Sequence, residues 1–431
     1  MSQSSGTDHP LRSSLTQEMH LRRLPRFSAP ARALHWLVLN REEANGTTAF
    51  GHVVDLFRRL GRAAPARTKH ATLAIDALQV VWEEHSEFST YTFVRQDPFD
   101  EPFDKFELSE LPDGWLESLP GLTFRATKVA ILAGPTPEPE PALIGRLFST
   151  DDVVCCDVFD GKARVWTDFR KAADGFGRLL IKDNDLRGDD PSRLVQQLLE
   201  LGNYRKMALL GLPIAQSLGK ELREAEGHLA ELSRRIAEGQ DDDEALLHEI
   251  SSVSAKLARL AADTRYRLGA TRAYANIVTD RLENLGVQRL PGSASLREFN
   301  ERRLWPAVRT CETATQRLEG LQEQASWTNG LIRTRIDTAM NRQSRDLLAS
   351  MNRRTQIQLR LQQTVEGLSV AAISYYVVGL VHYIVEGIGE HRLGISSAVV
   401  TGASVPFVVA LTALTMHRIR QVMTNGHGLS R

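Results

Sequence analysis

Two apolar stretches near the carboxyl end constrain this chain more than any other feature of its sequence. Residues 367–385 and 394–416 contain no aspartate, glutamate, lysine or arginine. Each approaches or exceeds the roughly 20 residues that an α-helix needs to cross the hydrocarbon core of a bilayer. Only the segment EGIGEHRL lies between them, which is too short for a domain. The pattern therefore predicts a two-helix transmembrane hairpin over residues 363–418, rather than two core helices of a soluble protein.

The arginines around these stretches predict which side of the membrane the rest of the chain occupies. Arginines precede the first stretch and follow the second, whereas the loop has one arginine and two glutamates. Membrane loops rich in lysine and arginine stay in the cytoplasm. We therefore expect a multi-pass protein with two spans, whose amino-terminal part and short tail, residues 419–431, are both cytoplasmic. The residues concerned are Arg353, Arg354, Arg360, Arg418 and Arg420 outside the hairpin, and Glu386, Glu390 and Arg392 in its loop.

The charge balance of the chain gives no sign of a nucleic-acid partner. Its 431 residues include 53 Lys+Arg and 53 Asp+Glu, so no net field attracts a polyanion. The 3 cysteines have neither zinc nor disulfide spacing, which indicates a reducing compartment for the soluble part. The polar amino terminus lacks the apolar core of a cleavable signal. We expect any electrostatic function to be local.

Residues 1–190 predict a cytoplasmic domain that mixes strands and helices. RALHWLVLN has the pattern of a largely buried strand, and apolar residues at helical spacing follow it. LQVVWEEH and STYTFVR predict a hairpin, and TKVAILA and GRLLIKD predict further strands. CCDVF and KARVW flank Asp160-Gly161, a pair that two-residue type I′ turns prefer. The predicted helical face consists of Phe50, Val53, Val54, Phe57 and Leu60.

Residues 191–362 predict long helices and no further strand, so that the fold class is α+β. We expect helices over residues 192–237 and 243–285, and a third from residue 295 onward. Ser295 and Glu298 form an S-x-x-E capping box at its start, and Pro306 is expected to kink it. This third helix would enter the membrane as a coiled-coil-like stalk. A break within residues 326–330 is the alternative.

Polar residues recur at steps of three and four from the end of this stalk into the first apolar stretch. Because lipid offers no hydrogen bonds, such side chains are best satisfied facing water or another helix. Symmetric copies around an axis would line a pore. Two helices per chain cannot enclose one, so this hypothesis requires a homo-oligomer. Ordinary helix packing accounts for the pattern equally well. The candidate pore-lining residues are Gln362, Glu366, Ser369, Tyr376 and Tyr383.

Other candidate sites have less support. The loop acids Glu386 and Glu390 would concentrate cations at a pore mouth, or only keep the loop solvated. Glu18, His20 and His35 are residue types that ligate metals, but their spacing puts them on no common face, so any metal remains unknown. GxGxxG, GxxxxGK[ST], HExxH and GxSxG are all missing. The sequence therefore predicts neither a cofactor nor an enzyme.

Three parts of the sequence carry a resemblance to a known family. They are HPLRSSLTQEMH followed by SAPARALHWLVLN, then GNYRKMALLGLP, and last RTQIQLRLQQTVEGLSVAAISYYVVGLVHY. They resemble the bacterial membrane-anchored family known as domain of unknown function 3422, over nearly the whole chain. The resemblance implies anchoring in a bacterial inner membrane, with lipid as a partner. It implies no mechanism.

The layout of the chain is also similar to that of CorA-type divalent-cation channels. Those pentamers join a cytoplasmic α+β domain through a long stalk helix to two carboxyl-terminal spans. Their first span ends in a Gly-Met-Asn motif, whereas this chain has VVGLVHYIVEG, with Gly379 but neither methionine nor asparagine after it. Because a fold does not establish a function, two hypotheses follow. One is a homo-oligomeric CorA-like channel or transporter for divalent cations. The other is a non-conducting anchored scaffold or sensor that recruits a cytosolic partner.

Overall fold

A mixed β-sheet organises the amino-terminal part of the chain. The computed structural model describes residues 9, 11, 12, 15, 16, 23–40, 48–104, 106–239, 242–388 and 397–425. The chain separates into two units, Met1–Asn329 and Gly330–Arg431. The sheet belongs to the first unit, and both apolar stretches belong to the second. This division leaves the predicted boundaries at residues 190 and 362 untested.

The strands are rich in β-branched and aromatic residues, which suit a half-buried pleated surface. They are β1 Ala31–Leu39, β2 His70–Ile75, β3 Leu78–Glu84, β4 Phe88–Arg95, β5 Leu122–Leu132, β6 Val154–Val158, β7 Ala163–Thr167, β8 Gly177–Asp183 and β9 Gln288–Arg289. Within the described residues their order is β2-β3-β4-β1-β5-β8-β7-β6-β9. Neighbouring strands are antiparallel, except that β5 and β8 are parallel. The parallel pair joins an amino-terminal and a later half of the sheet.

The predicted strands are found, with two corrections. Strands β6 and β7 form the expected hairpin, but Val158 pairs with Ala163, so four residues connect them and the two-residue turn was wrong. Phe159, Asp160 and Gly161 all have positive φ. The expectation of no strand after residue 183 was also wrong, because β9 pairs with β6. A two-residue strand leaves no periodicity to read in a sequence.

Helices cover the sheet and then extend to the end of the described chain. They are α1 Ala49–Arg59, α2 Pro141–Leu147, α3 Asp190–Ala208, α4 Gly211–Glu238, α5 Asp243–Asn284, α6 Leu296–Arg303, α7 Trp305–Ile388 and α8 Ser397–Asn425. Helix α3 packs on β5 and α5, and α4 packs on α5. Trp115 is fully buried between α1 and the sheet, and its ring centre lies 4.4 Å from that of His52 in a stacked arrangement. Its indole Nε1 donates a hydrogen bond to the backbone carbonyl oxygen of His52. The helices and the sheet thereby enclose the core of the first unit.

The helix predicted over residues 192–237 is two helices, α3 and α4, because the chain bends at Leu209 and Leu210. Pro213 has no N–H to continue the hydrogen-bond ladder. Thr271 of α5 instead donates from Oγ1 to the carbonyl oxygen of Ala208, at 3.0 Å. A Cβ on Gly211 would lie 2.3 Å from that hydroxyl oxygen. The bend therefore brings α3 and α4 close to α5 at a point where only glycine fits.

The third predicted helix begins with the expected capping box at Ser295 and Glu298. Leu304 then separates α6 from α7, two residues before Pro306. Helix α7 has 84 residues and no break within 326–330. Its first turns belong to the core of the first unit, and its last turns form one of the two apolar helices. The buried residues of those first turns are Val308, Cys311, Ala314, Leu318, Leu321 and Ala325.

The second unit contains the rest of α7 together with α8. Both helices include a segment long and apolar enough to span a membrane. Large apolar side chains on both are exposed, such as Leu368 at 74% and Phe407 at 78%. Residues 389–396, which connect the helices and include the start of the second predicted span, lie outside the described residues. The unit therefore presents two apolar helices that the described part of the chain leaves uncovered.

Candidate functional site

All five candidate pore-lining residues lie on α7, but the single chain leaves most of them exposed. Tyr376 is 75% and Tyr383 is 73% exposed, and Tyr375 on another face of the helix is 77% exposed. Ser369 donates from Oγ to the carbonyl oxygen of Val365, at 2.9 Å. A serine bonded to its own helix needs no polar partner from elsewhere. The predicted stripe exists as a helical face, and its role as a lining stays a prediction.

Helix α8 contacts α7 through residues outside the predicted stripe. Nδ1 of His382 lies 3.2 Å from Oγ1 of Thr401 on α8. Ser374, also on α7, is buried. Because Tyr383 follows His382 directly, helical geometry turns its side chain about 100° away from that contact. The stripe tyrosines are thus available to lipid or to another copy of the chain.

Of the two loop acids, Glu386 and Glu390, the structure describes only Glu386. Glu386 lies one helical turn after His382, with 3.9 Å between its Oε2 and the histidine Nε2. The side chain of His382 is 44% exposed and that of Glu386 is 67% exposed, and pairs with this much access to water contribute little to stability. Glu390 lies outside the described residues. Their predicted role at a pore mouth stays untested.

The first unit contains a cavity of about 200 Å³ whose charged lining is entirely basic among the described residues. Strand β5 contributes Arg125, β8 contributes Arg178, and α3 contributes Arg205 and Lys206. The connection between β7 and β8 contributes Arg170 and Lys171. We call this site the basic cavity. Its charged lining residues are Arg125, Arg170, Lys171, Arg178, Arg205 and Lys206.

Arg205 is the most buried of these cations, with 7% of its surface exposed. Its guanidinium lies 3.7 Å from the ring centre of Phe169 and 5.4 Å from that of Phe299. Nη1 has no hydrogen-bond partner, and no carboxylate among the described residues pairs with the side chain. Burial and the charge of Arg125 lower the pKa of Arg205 to about 9, which still leaves it protonated at neutral pH. A buried guanidinium without an anion is costly.

Arg125 is held beside Arg205 by groups that do not neutralise it. Its Nη1 donates to the carbonyl oxygen of Leu199 at 3.1 Å and to Oδ1 of Asn203 at 2.7 Å. Burial lowers the pKa of Arg125 to about 10. A Cβ on Gly202 would lie 2.3 Å from Nη2, so the guanidinium occupies the space that a side chain would need. A glycine at this position of α3 therefore leaves room for the guanidinium of Arg125.

A neutral histidine supports the asparagine that holds Arg125. Nε2 of His35 contacts the side-chain amide of Asn203, and Nδ1 lies 2.8 Å from Oγ1 of Thr92. Burial first, and then the charge of Arg125, lower the pKa of His35 to about 3. His35 therefore stays uncharged and acts through hydrogen bonds. Thr92, His35 and Asn203 thus form a buried hydrogen-bond network that fixes the position of Arg125 at the basic cavity.

The other metal candidates cannot be placed next to His35. Glu18 and His20 lie outside the described residues. Among the residues that the structure does describe, no group of three or more histidine, cysteine, aspartate or glutamate side chains could hold a metal ion. Cys155, Cys156 and Cys311 are free and buried. Burial raises the pKa of both Cys155 and Cys156, to about 12 and about 11. These thiols are in the unreactive protonated form at neutral pH.

The sequence did not single out the basic cavity, although α3 carries one signal of it. Leu198, Leu201 and Gly202 lie on the face of α3 that packs inward, and Arg205 follows at the same helical spacing. A charged residue at a position that the periodicity assigns to the core is uncommon without a partner. The residues around Arg205, Phe169 and Phe299 among them, come from distant parts of the sequence that no local pattern links to α3.

Comparison with known proteins gives one match. A sequence-family model described as "Protein of unknown function (DUF3422)" matches residues 7–423. No curated protein matches the chain. No solved structure matches it. The match covers both the unit with the basic cavity and the unit with the two apolar helices.

Proposed function

The chain belongs to the family described as "Protein of unknown function (DUF3422)", and we propose that it is a non-enzymatic sensor anchored in a bacterial inner membrane. In this proposal the first unit is cytoplasmic, and α7 with α8 forms a two-span hairpin in the lipid. The first unit responds to a cytosolic signal or partner, and α7 carries the response to the membrane.

One observation carries this proposal: α7 belongs to both parts. Val308, Cys311 and Leu318 are buried in the core of the first unit, and the same unbroken helix contains a segment apolar enough to span a bilayer. A helix of many turns transmits rotation or displacement along its axis, because its backbone hydrogen bonds link each turn to the next. A flexible linker would decouple the two units. An anchor without a coupling role would not require a continuous helix.

The charges support the proposed orientation. Arg353, Arg354 and Arg360 are exposed on α7 before the apolar segment, and Arg418 is exposed on α8 after it. The side chain of Arg420 lies outside the described residues. Cytoplasmic ends rich in arginine favour a hairpin whose short loop faces the other side of the membrane.

Cysteine labelling in whole cells tests this topology. The three native cysteines are buried, so a new cysteine in place of Glu390 would be the accessible thiol. We expect Glu390→Cys to react with a membrane-impermeant maleimide added outside the inner membrane, and Arg345→Cys on the exposed part of α7 to react only after lysis. Labelling of Arg345→Cys in intact cells, or of neither variant before lysis, would contradict the hairpin.

A second candidate function is a homo-oligomeric channel for divalent cations. The observation that favours it is that α8 contacts α7 through His382, which does not belong to the predicted pore-lining stripe. Since His382 meets Thr401, the neighbouring Tyr383 and the exposed Tyr376 are left for other copies. Symmetric copies could then place Gln362, Glu366 and Ser369 on the axis together with both tyrosines.

Flux measurements separate the channel from the sensor. The channel predicts that the purified protein forms a ring by native mass spectrometry and passes Mg²⁺ or Co²⁺ into liposomes. It also predicts that Tyr376→Phe together with Glu366→Gln alters that flux, whereas Tyr375→Phe does not. Liposomes that take up no cation above empty controls would exclude the channel and leave the sensor standing.

A further inference from the structure

We propose that the basic cavity is a binding site for a phosphate-class dianion, either inorganic phosphate or the phosphoryl group of a small phosphomonoester. This site goes beyond the membrane-coupling function and does not depend on it. The structural basis is the juxtaposition of Arg125 on β5 and Arg205 on α3 at a space that Arg170, Lys171 and Lys206 also line and that contains no acidic side chain among the described residues.

The first argument is the charge of the cavity. Three partly buried arginines elsewhere in the first unit are paired: Arg164 with Asp157, Arg267 with Glu87 and Arg281 with Glu200. In the basic cavity, Arg170 has Asp152 as its partner. Arg205 has no such partner in the described part of the chain, although it is more buried than Arg164, Arg267 and Arg281. Buried charges are usually paired, so the cavity lacks an anion that its residues are arranged to meet.

The second argument is the set of hydrogen-bond donors that remain. Arg205 has a buried nitrogen, Nη1, without an acceptor. Arg125 uses only Nη1 in its bonds to Leu199 and Asn203. The guanidinium of Arg178 is not part of this set, because its Nη1 donates to the carbonyl oxygen of Leu147 at 2.9 Å, away from the cavity. A phosphate has several acceptor oxygens and forms paired bonds with planar guanidinium groups. The free donors of Arg125 and Arg205 match that geometry better than they match a single chloride ion.

The third argument is size. A volume of about 200 Å³ equals roughly seven water molecules at about 30 Å³ each. That space accommodates a phosphate group with a short attached chain. Phe169, stacked on Arg205, covers one side of the guanidinium and keeps its donors directed along its plane. Lys206 and Lys171 add charge to the lining without an ion-pair partner in the described residues.

Calorimetric titration of the full-length protein in detergent tests the proposal at constant ionic strength. The probes are inorganic phosphate, glycerol 3-phosphate and, as a singly charged control, acetate. We expect saturable binding of one or both phosphate compounds and none of acetate. Binding of phosphate alone identifies the free ion, and tighter binding of glycerol 3-phosphate identifies a phosphomonoester. Absence of saturable binding by both phosphate compounds would overturn the proposal.

Substitutions locate the site. Arg205→Gln should weaken the Kd at least tenfold, and Arg205→Lys should weaken it less because the charge remains. The matched control is Arg193→Gln, since Arg193 also lies on α3 over an aromatic ring, Phe159 at 4.9 Å, but is exposed and outside the cavity. If Arg205→Gln fails to fold, Lys206→Gln tests the same cavity from an exposed position. Equal affinities in the wild type and the cavity variant that folds would overturn the assignment.

A thermal readout separates binding from a structural role of Arg205. Removing a buried guanidinium that has no anion should leave the Tm without phosphate unchanged or higher, while the rise in Tm that phosphate gives the wild type should disappear. If Arg205 only packs on Phe169 and Phe299, the variant would lose Tm equally with and without phosphate. That result would overturn the proposal, whereas the topology of the hairpin would be unaffected.

Discussion

The two units of this chain treat their apolar side chains in opposite ways. In the first unit Trp82, Trp115 and Tyr91 are at most 1% exposed. In the second, Leu368 and Phe407 are more than 70% exposed, although the helices are at least as apolar. A soluble chain loses about 25 cal/mol for each Å² of apolar surface left in water. The first unit therefore covers its large apolar side chains itself, whereas the second leaves exposed two helices that are long and apolar enough to span a membrane.

Deleting residues 367–416 should produce the largest effect on this comparison. If the second unit is only the membrane part, the deletion variant should move completely from the carbonate-washed membrane fraction to the soluble fraction. The first unit should keep its folded circular dichroism spectrum, because its core residues are all retained.

A matched control keeps two apolar helices and removes the three stripe residues Ser369, Tyr376 and Tyr383. Residues 367–385 and 394–416 are replaced by leucine–alanine helices of the same lengths, which should restore the membrane fraction. A deletion variant that stays in the membrane pellet after carbonate washing would show that the first unit has its own means of membrane attachment.

Truncating one aromatic residue in each unit should give a smaller but equally clear contrast. Trp115→Ala removes a fully buried ring that stacks on His52, and we expect it to lower the free energy of unfolding of the first unit by about 3–5 kcal/mol. Phe407→Ala in α8 should leave that free energy unchanged. Denaturant unfolding of the full chain in detergent measures both. Similar losses in the two variants would contradict the independence of the units.

The pH dependence of stability should sharpen the account of the first unit. The pKa of His35 is about 3 in the folded state, below the value of about 6.5 for an unfolded chain. The unfolded state therefore binds a proton first as pH falls. The stabilisation that neutral His35 gives the folded state is therefore complete above pH 6.5. As pH falls from 6.5 towards 3, the free energy of unfolding decreases by about 1 kcal/mol per pH unit.

A variant isolates the contribution of His35 to this slope. His35→Gln has no titrating ring, so its free energy of unfolding should change less steeply between pH 6 and pH 4 than that of the wild type. His52, whose pKa burial lowers to about 4, supplies part of the remaining slope. Parallel slopes for the two proteins would mean that His35 is accessible to protons in the folded state.

Two glycine substitutions should give the smallest effects, with opposite signs. A Cβ at Gly202 would lie 2.4 Å from Cζ of Arg125, so Gly202→Ala should displace that guanidinium and cost about 1–3 kcal/mol. Gly227 in α4 has nothing within 4 Å, and Gly227→Ala should stabilise the helix by about 0.5–1 kcal/mol. Thermal unfolding measures both. A stabilising Gly202→Ala would show that Arg125 has other space available.

Local sequence patterns identified much of the fold. The strand RALHWLVLN, the hairpin around Asp160, the capping box at Ser295 and the two apolar helices are all features that neighbouring residues define. Each follows from a period of two or 3.6 residues or, at Ser295, from a capping residue at a fixed position, whereas the two-residue turn predicted at Asp160-Gly161 was wrong. The same reasoning failed at β9 and at the bend after Ala208. The first is too short to show a period, and the second depends on a contact from Thr271.

The sequence by itself indicated most of the strands and long helices and the two stretches apolar enough for a membrane, because those properties depend on residues a few positions apart. Only the tertiary structure decided that β5 lies under α3, which brings Arg125 and Arg205 to one cavity. In the sequence these are two separate arginines in a chain without net charge. Their meaning depends on the pairing of distant strands, because an unpaired buried charge is a property of surroundings that no single segment contains.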